Sequence, residues 1–205
     1  DGPYTQMFER QMAQRTLRQY AVAVNSGTQA LIFAQHALGI HGDMDSNESG
    51  KVMIPGISFV ATLNSVLMAG NEPVYCDVDH NALLDIENID YALNGAIDAI
   101  MYVNIFGNVL DYDKLLNISK FFSDDIKIIE DAAQSFGATY NGIPSGKLGD
   151  VSILSFDPTK NLPNYGSGGM VLTDDLALAE AIIDLRNNGK HSGNELMGTN
   201  SRMSE

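Results

Sequence analysis

The chain has 205 residues, and its 12 Lys and Arg against 26 Asp and Glu give a net charge of −14. A chain of this length can bury a core without disulfide or metal support, and its 44% hydrophobic content is typical of a globular protein. The acidity argues against nucleic acid or an anionic membrane surface as a partner, because both require clustered Lys and Arg. No apolar run approaches the roughly 18 residues of a membrane span.

Cysteine and histidine usage narrows the chemistry further. The single cysteine, Cys76, lies in the apolar run PVYCDV and is interpreted as a small buried core residue rather than a reactive thiol. The four histidines do not share the spacing of metal ligands, so no metal site is expected. The N-terminal residues lack the basic and apolar regions of a signal peptide, and a cytoplasmic protein is the expectation.

Short apolar runs rich in Val and Ile alternate with longer amphipathic stretches. The runs predict strands buried on both faces, and the stretches predict helices. In chain order the predicted elements are helix 4–19, strand 21–24, helix 28–39, strand 51–54, helix 59–70, strands 73–76 and 99–103, helix 110–122, strands 126–130, 151–156 and 170–173, and helix 174–188.

This order predicts a three-layer α/β/α domain with a mostly parallel, seven-stranded mixed sheet. Residues 157–169 are too rich in Gly and Pro for a crossover helix, so the last two strands are expected to be antiparallel. Residues 189–205 have few apolar anchors and are expected to be loosely held.

The segment 25–28 (NSGT) follows a predicted strand and opens a predicted helix. Its backbone N–H groups and two hydroxyls lie at the positive end of that helix, where a phosphate binds well. An ordinary N-cap by Ser26 or Thr28 explains the pattern equally well.

Asp131 follows the apolar run of the fifth predicted strand. Ligands of open α/β sheets bind beyond the carboxyl ends of the strands, which is where Asp131 lies. A carboxylate there can pair with a cationic ring nitrogen, hold a metal or cap the following helix, and the residues alone leave these interpretations open.

The segment 155–169 (SFDPTKNLPNYGSGG) places Lys160 just past the sixth predicted strand. Its glycines form neither a P-loop nor a dinucleotide fingerprint. A lone lysine is usually solvated, but here it accompanies an anion site and a strand-end carboxylate. Pyridoxal phosphate requires this combination: an anion site, a carboxylate for its pyridinium nitrogen and an amine for its aldehyde.

Longer motifs carry a family resemblance. The segments YAVAVNSGTQAL, IIEDAAQSFGATYNG and LGDVSILSFDPTKNLPNYGSGG contain SGT, EDAAQ and SFxPTKN in that order. With them the chain resembles the DegT/DnrJ/StrS family of sugar aminotransferases, pyridoxal-phosphate enzymes of fold type I. The resemblance implies a homodimer that transfers an amino group from glutamate to a nucleotide-linked keto-sugar. Two alternatives stay open: a truncated protein that binds pyridoxal phosphate without turnover, and an unrelated nucleotide-binding domain.

The resemblance also implies roles for individual residues. Lys160 would link to the cofactor as a Schiff base and later move a proton between two carbons. Asp131 would pair with the pyridinium nitrogen, and Gln134 would bond the phenolic oxygen of the ring.

The remaining implied contacts concern the phosphate and the ring face. Gly27, Thr28 and Ser155 would hold the phosphate. Phe59 would stack on the ring, although a core phenylalanine is the alternative. Asn200 would reach the phosphate of a partner subunit.

The chain departs from the family pattern in three respects. Asn104 stands where many relatives carry a His near the cofactor, which is expected to alter substrate fit or proton handling. Ser167 stands where an acidic residue is frequent. Family members are usually close to twice as long, so residues 1–188 are expected to form the cofactor-binding large domain and 189–205 to lead towards a small C-terminal domain.

Overall fold

A computed structural model of the chain describes residues 2–42, 49–89, 97–190 and 198–204. The helices it describes are α1 (Pro3–Thr16), α2 (Gly27–Ala37), α3 (Val60–Met68), α4 (Tyr112–Phe122) and α5 (Leu176–Arg186), with 3₁₀ turns at Ile86–Asn88 and Ile105–Gly107. The strands are β1 (Tyr20–Val24), β2 (Lys51–Pro55), β3 (Glu72–Cys76), β4 (Ala99–Val103), β5 (Lys127–Asp131), β6 (Thr139–Tyr140), β7 (Ile143–Pro144), β8 (Val151–Ser155) and β9 (Gly169–Thr173).

All seven predicted strands and all five predicted helices are confirmed, with ends that shift by a few residues. The small hairpin of β6 and β7 is not among the predicted elements. Its turn is formed by Asn141 and Gly142, which both have positive φ (49° and 82°). An Asn-Gly pair between short strands is the usual signal of such a turn, so this hairpin was predictable.

Seven strands form one mixed sheet in the order β1-β9-β8-β5-β4-β2-β3. Strand β9 runs antiparallel to both β1 and β8, and the other neighbouring pairs are parallel. The predicted mixed sheet and the antiparallel pairing of the last two strands are therefore confirmed. The parallel strands all end at one edge, and β9 starts there, so the loops after β1, β5 and β8 come together.

Helices cover both faces of the sheet, which confirms the three-layer architecture. On one face, α2, α3 and α5 pack over a core that includes Val24, Ile129 and Ile153. On the other face, α4 packs over Ile100 and its neighbours, and α1 packs over Leu154 and its neighbours. Successive residues of a buried strand point to opposite faces, so strands β1, β2, β4, β5, β8 and β9 supply apolar side chains to both faces of the sheet.

Two buried charged side chains hold the loop between β7 and β8. Glu130 is fully buried and accepts hydrogen bonds from the backbone N–H groups of Gly146 and Leu148 and from the Ser145 and Ser152 hydroxyls. Arg18, also buried, donates to the carbonyl oxygens of Gly146 and Leu148 and to Ser152. Together the two side chains satisfy the backbone of this loop from both sides, which makes its position rigid.

Cys76 is buried at the end of β3, as predicted, with its Sγ 3.8 Å from the carbonyl oxygen of Asp85. Burial, reinforced by the charges of Asp85 and Asp77, raises the pKa of its thiol to about 11. The thiol is therefore protonated and unreactive at neutral pH. None of the described helices has the length and hydropathy that a membrane crossing requires.

The expectation of a loosely held C-terminal segment is wrong for residues 198–204. Ser201 is only 2% exposed, and its carbonyl oxygen accepts from the Asn25 N–H at 2.9 Å. Thr199 donates its N–H to the carbonyl oxygen of Leu185, and Met203 packs on the core beside α1. Backbone hydrogen bonds supply the anchoring that apolar side chains do not. Residues 191–197 and 205 of the predicted segment lie outside the described residues.

Gly169 tests how tightly β9 fits against the turn before α2. A Cβ atom on Gly169 would lie 2.2 Å from the carbonyl oxygen of Ser26. We expect Gly169→Ala to lower the free energy of unfolding by about 2 kcal/mol, because a clash with backbone cannot be relieved by rotating a side chain. Denaturation in urea measures the loss. Gly166→Ala is the matched control, because a Cβ there meets nothing within 4 Å. Equal stability of the two variants would contradict the tight fit.

Candidate active site

A cavity of about 380 Å³ opens at the sheet edge where β1, β5 and β8 end. Side chains from the loops after these strands line it, together with the start of α2 and the residue before α3. The lining includes seven of the eight predicted site residues, namely Gly27, Thr28, Phe59, Asp131, Gln134, Ser155 and Lys160. Residues up to 133 positions apart in the sequence (160 − 27 = 133) thus meet in one place.

The start of α2 forms the anion-binding side of the cavity. Ser26 caps the helix, because its Oγ accepts from the Gln29 N–H at 3.1 Å. The N–H groups of Gly27 and Thr28 belong to the first turn and have no acceptor within the helix. A Cβ on Gly27 would lie 2.8 Å from the Cβ of Ser155, so glycine lets the Ser155 hydroxyl approach this turn. The capping and phosphate interpretations are therefore compatible, since Ser26 caps and its neighbours face the cavity.

Asp131 supplies a buried carboxylate to the same cavity. It is 4% exposed, and it accepts hydrogen bonds from the Ala133 N–H (3.1 Å) and the Thr62 hydroxyl (3.3 Å). Burial raises the pKa of Asp131, while these hydrogen bonds and the charge of Lys160 act in the lowering direction. A carboxylate that has lost most of its hydration is suited to a cationic partner such as a protonated ring nitrogen.

A metal is not the partner that the surroundings of Asp131 indicate. Across the ranges that the structure describes, no three His, Cys, Asp or Glu side chains come together in a way that could hold a metal ion. The interpretation that Asp131 caps a following helix is wrong, because a turn and not a helix follows β5, and Asp131 accepts the Ala133 N–H within that turn.

Lys160 lies in a loop that several local hydrogen bonds make rigid. Its backbone N–H donates to the carbonyl oxygen of Asp157, and the Asp157 carboxylate accepts both the N–H and the hydroxyl of Thr159. Asn161 ties the loop to the carbonyl oxygen of Phe136 at 2.6 Å. The Lys160 Nζ lies 5.4 Å from the centroid of the Phe59 ring. The amine and the aromatic face thus lie beside the same cavity.

Phe59 precedes α3 and is 59% exposed, which excludes the core interpretation. A largely exposed aromatic ring beside a polar cavity can stack on a flat ligand. Gln134 also lines the cavity, and its Oε1 accepts the Phe106 N–H at 3.0 Å. Since a backbone N–H only donates, the amide oxygen must face Phe106, and the amide NH₂ group of Gln134 remains as a donor towards the cavity.

Two of the residues singled out from sequence lie elsewhere. Asn200 is exposed and is not among the residues that line the cavity, so its contact with a partner subunit stays a prediction. Asn104 does not line the cavity either, contrary to expectation. Its side chain is fully buried and bonds Glu130 and the Leu110 N–H, because β4 ends with this residue pointing away from the site. Ser167 does line the cavity.

Several residues that line or support the site, namely Thr62, Phe106, Asp157 and Thr159, were not predicted from the sequence. Thr62 lies three positions after Phe59, and this helical spacing places the two residues on the same side of α3. Asp157 and Thr159 have the spacing of a local side-chain turn, which was a usable signal. The contact between Gln134 and Phe106 has no local signal, because the two residues are 28 positions apart.

Comparisons with known proteins agree with this geometry. A sequence model of the DegT/DnrJ/EryC1/StrS aminotransferase family matches residues 1–205. The chain is 35% identical to UDP-2-acetamido-2-deoxy-3-oxo-D-glucuronate aminotransferase of Pseudomonas aeruginosa, over 98% of this chain and 55% of that protein. It is 32% identical to 3-oxo-glucose-6-phosphate:glutamate aminotransferase of Bacillus subtilis, over 92% of this chain and 40% of that protein.

A solved structure shows the same fold. The crystal structure of NtdA from Bacillus subtilis with bound cofactor PMP superposes with a TM-score of 0.88 at 31% identity, over 99% of this chain and 45% of that one. The chain spans about half the length of the curated relatives it matches. The match to the family model over the whole chain excludes an unrelated nucleotide-binding domain, and the chain belongs to the DegT/DnrJ/EryC1/StrS aminotransferase family.

Proposed function

We propose that this chain binds pyridoxal phosphate and transfers an amino group from glutamate to a nucleotide-linked keto-sugar. One observation carries the proposal: an anion-binding helix start, a buried carboxylate and a lysine line a single cavity of about 380 Å³. Family membership and the PMP-bound relative support the choice of cofactor. We assign cofactor binding to residues 1–188.

The residues of the cavity fit the cofactor at each of its polar ends. The N–H groups of Gly27 and Thr28 and the Ser155 hydroxyl would hold the phosphate, since a helix N-terminus favours an anion. Asp131 would accept the ring N–H and stabilise its positive charge, and Phe59 would cover one ring face. The bound cofactor supplies an aldehyde that links to amines and a ring that withdraws electrons from the adjacent carbon.

Lys160 has two tasks in this proposal. Its Nζ holds the cofactor between turnovers, and afterwards it moves a proton at the reacting carbon because it remains close by. The rigid turn of Asp157 and Thr159 limits where that amine can reach, which favours proton transfer on one face only. Gln134 would donate its amide N–H to the phenolic oxygen of the ring.

The names of relatives support the two substrates. One relative is named as an aminotransferase of a UDP-linked 3-oxo sugar, and the other is named as using glutamate. Nucleotide-linked amino sugars are precursors for polysaccharide biosynthesis, so we place the enzyme there and in the cytoplasm. The alternative is a chain that binds the cofactor without turnover.

We further propose a homodimer. Phe59, which lines the cavity, is largely exposed, and so are Phe106 and Tyr165 in the loops that follow β4 and β8. A second copy would cover these rings and bring its Asn200 to the phosphate site. Such cover also excludes water from the reacting groups.

Lys160→Ala tests the covalent link. We expect the purified protein to form a yellow adduct with pyridoxal phosphate that borohydride fixes, and the Lys160→Ala variant to lose it completely. Mass spectrometry after reduction measures the fixed adduct. The control is Lys120→Ala, because Lys120 is exposed on α4, away from the cavity. An undiminished adduct in Lys160→Ala would mean that another amine carries the cofactor.

Mixing the cofactor-loaded protein with glutamate separates the enzyme from the binder. An aminotransferase releases about one 2-oxoglutarate per bound cofactor while the yellow colour fades. A loaded protein that releases none is a binder without turnover. This measurement does not require knowledge of the sugar.

Asp131→Asn tests the cost of burying the carboxylate. Because burial raises the pKa of Asp131 above 3.8, its ionisation destabilises the fold as pH rises from 3.8 through the folded-state pKa, and the loss is complete above it. We therefore expect cofactor-free Asp131→Asn to unfold at a higher temperature than wild type at pH 7. The advantage should shrink as pH falls towards 3.8.

The same variant should bind pyridoxal phosphate about tenfold more weakly, because a charged hydrogen bond to the ring is lost. Thermal melts and cofactor titration measure the two effects. Asp124→Asn is the control, since it removes the same charge from an exposed position. A variant that is less stable than wild type at pH 7 would refute the cost of burial.

The oligomeric state tests the shared site. We expect sedimentation analysis to give a dimer of the cofactor-loaded protein. A monomer that still releases 2-oxoglutarate from glutamate would show that the site needs no second copy.

A further inference from the structure

The turn after β4 presents a strained backbone amide to the candidate site. Phe106 has φ 58° and ψ 15°, the left-handed conformation that costs a non-glycine residue energy. Its side chain is 74% exposed, so packing of the ring does not explain the strain. What the conformation achieves is the hydrogen bond from the Phe106 N–H to the Gln134 Oε1 at 3.0 Å.

Asn104 closes this turn. Its Oδ1 accepts the Leu110 N–H at 3.0 Å, which joins the first and last residues of the seven-residue stretch 104–110. Its Nδ2 donates to the buried Glu130 carboxylate at 2.8 Å, and its backbone N–H donates to the carbonyl oxygen of Asp131 at 3.1 Å. The turn is therefore held at both ends by a fully buried side chain.

We propose that Asn104 and the Phe106 amide are positioning elements that orient the Gln134 side chain towards the cofactor. This rests on the proposed function, because the group being oriented would contact pyridoxal phosphate. The carboxamide of Gln134 has an accepting end, its oxygen, and a donating end, its NH₂ group. With its oxygen held by Phe106, its NH₂ group points into the cavity and donates to the phenolic oxygen. If the carboxamide were flipped, the Gln134 oxygen would face the phenolic oxygen of the cofactor, and the two oxygen atoms would repel each other.

This hydrogen bond would affect the pH at which the nitrogen that links the bound cofactor to Lys160 loses its proton. A hydrogen bond to the phenolic oxygen stabilises its negative charge most when the nitrogen of the cofactor–Lys160 linkage has lost its proton. Loss of this bond therefore favours the protonated linkage and moves the midpoint of its titration to higher pH. Loss of one charged hydrogen bond corresponds to a rise of about one pH unit.

The test is the absorbance of the pyridoxal-phosphate-loaded protein as a function of pH. Gln134→Ala and Asn104→Ala should each raise the midpoint by about one unit. The double variant should rise no further than Gln134→Ala alone, because both changes remove the same contact. Asn108→Ala is the matched control, since Asn108 is exposed in the same turn, and its midpoint should equal that of wild type.

A second pair of variants avoids disturbing the buried Asn104. Phe106→Val places a β-branched residue in the left-handed conformation, which disfavours it, and should raise the midpoint, whereas Phe106→Gly adopts this conformation without steric cost and should leave the midpoint unchanged. In the cofactor-free protein, hydrogen exchange of the residue 106 amide should be faster in Gln134→Ala than in wild type, because its acceptor is gone.

The outcomes separate the two proposals. Wild type that forms no pyridoxal-phosphate chromophore overturns the proposed function and this inference with it. Wild type that titrates, with Asn104→Ala and Phe106→Val at the same midpoint, overturns only the positioning role. Additive shifts in the double variant would also overturn it, because a merely structural effect of Asn104 would not depend on Gln134.

Discussion

The end of β5 carries two adjacent buried carboxylates, and the rest of the site depends on them. Successive side chains of a strand point to opposite faces, so Glu130 enters the core behind the sheet and Asp131 enters the cavity. One strand thereby supplies both a structural anion and the carboxylate of the candidate site. Their surroundings differ in the number of hydrogen-bond donors that replace the lost water.

Glu130 is supplied with donors from five residues, which offsets much of its desolvation. Through them it determines the position of the loop before β8 and of the Asn104 turn. Arg18 donates hydrogen bonds to the carbonyl oxygens of the same loop. The region behind the cavity is thus a satisfied polar network, and such networks are rigid.

Among the residues that the structure describes, Asp131 has two neutral donors, Ala133 and Thr62, and burial raises its pKa. A buried carboxylate with few hydrogen-bond donors can bind a cationic group favourably. The number of donors distinguishes the structural carboxylate, Glu130, from the carboxylate of the candidate site, Asp131. The motif EDAAQ contains both and does not distinguish them.

Much of the fold was readable from sequence because strands buried on both faces leave unbroken apolar runs. The predicted strands 21–24, 126–130 and 151–156 placed the candidate site residues at one edge, and the structure shows seven of them around one cavity. The Asn141–Gly142 hairpin was missed although its turn signal was present. Asn104 was misplaced because a family resemblance says which residue is unusual but not which way its side chain points.

The sequence by itself determined the order of strands and helices, the α/β class and the candidate roles of Asp131 and Lys160, because hydrophobic period and local motifs are properties of neighbouring residues. Only the tertiary structure decided that Asn104 serves Glu130 rather than the cavity, and that Phe106 holds the amide of Gln134. It also decided that the segment 198–204 contacts Asn25, the residue that follows β1. These contacts join residues 26 or more positions apart, and their partners are selected by the geometry of packed loops, which no local pattern encodes.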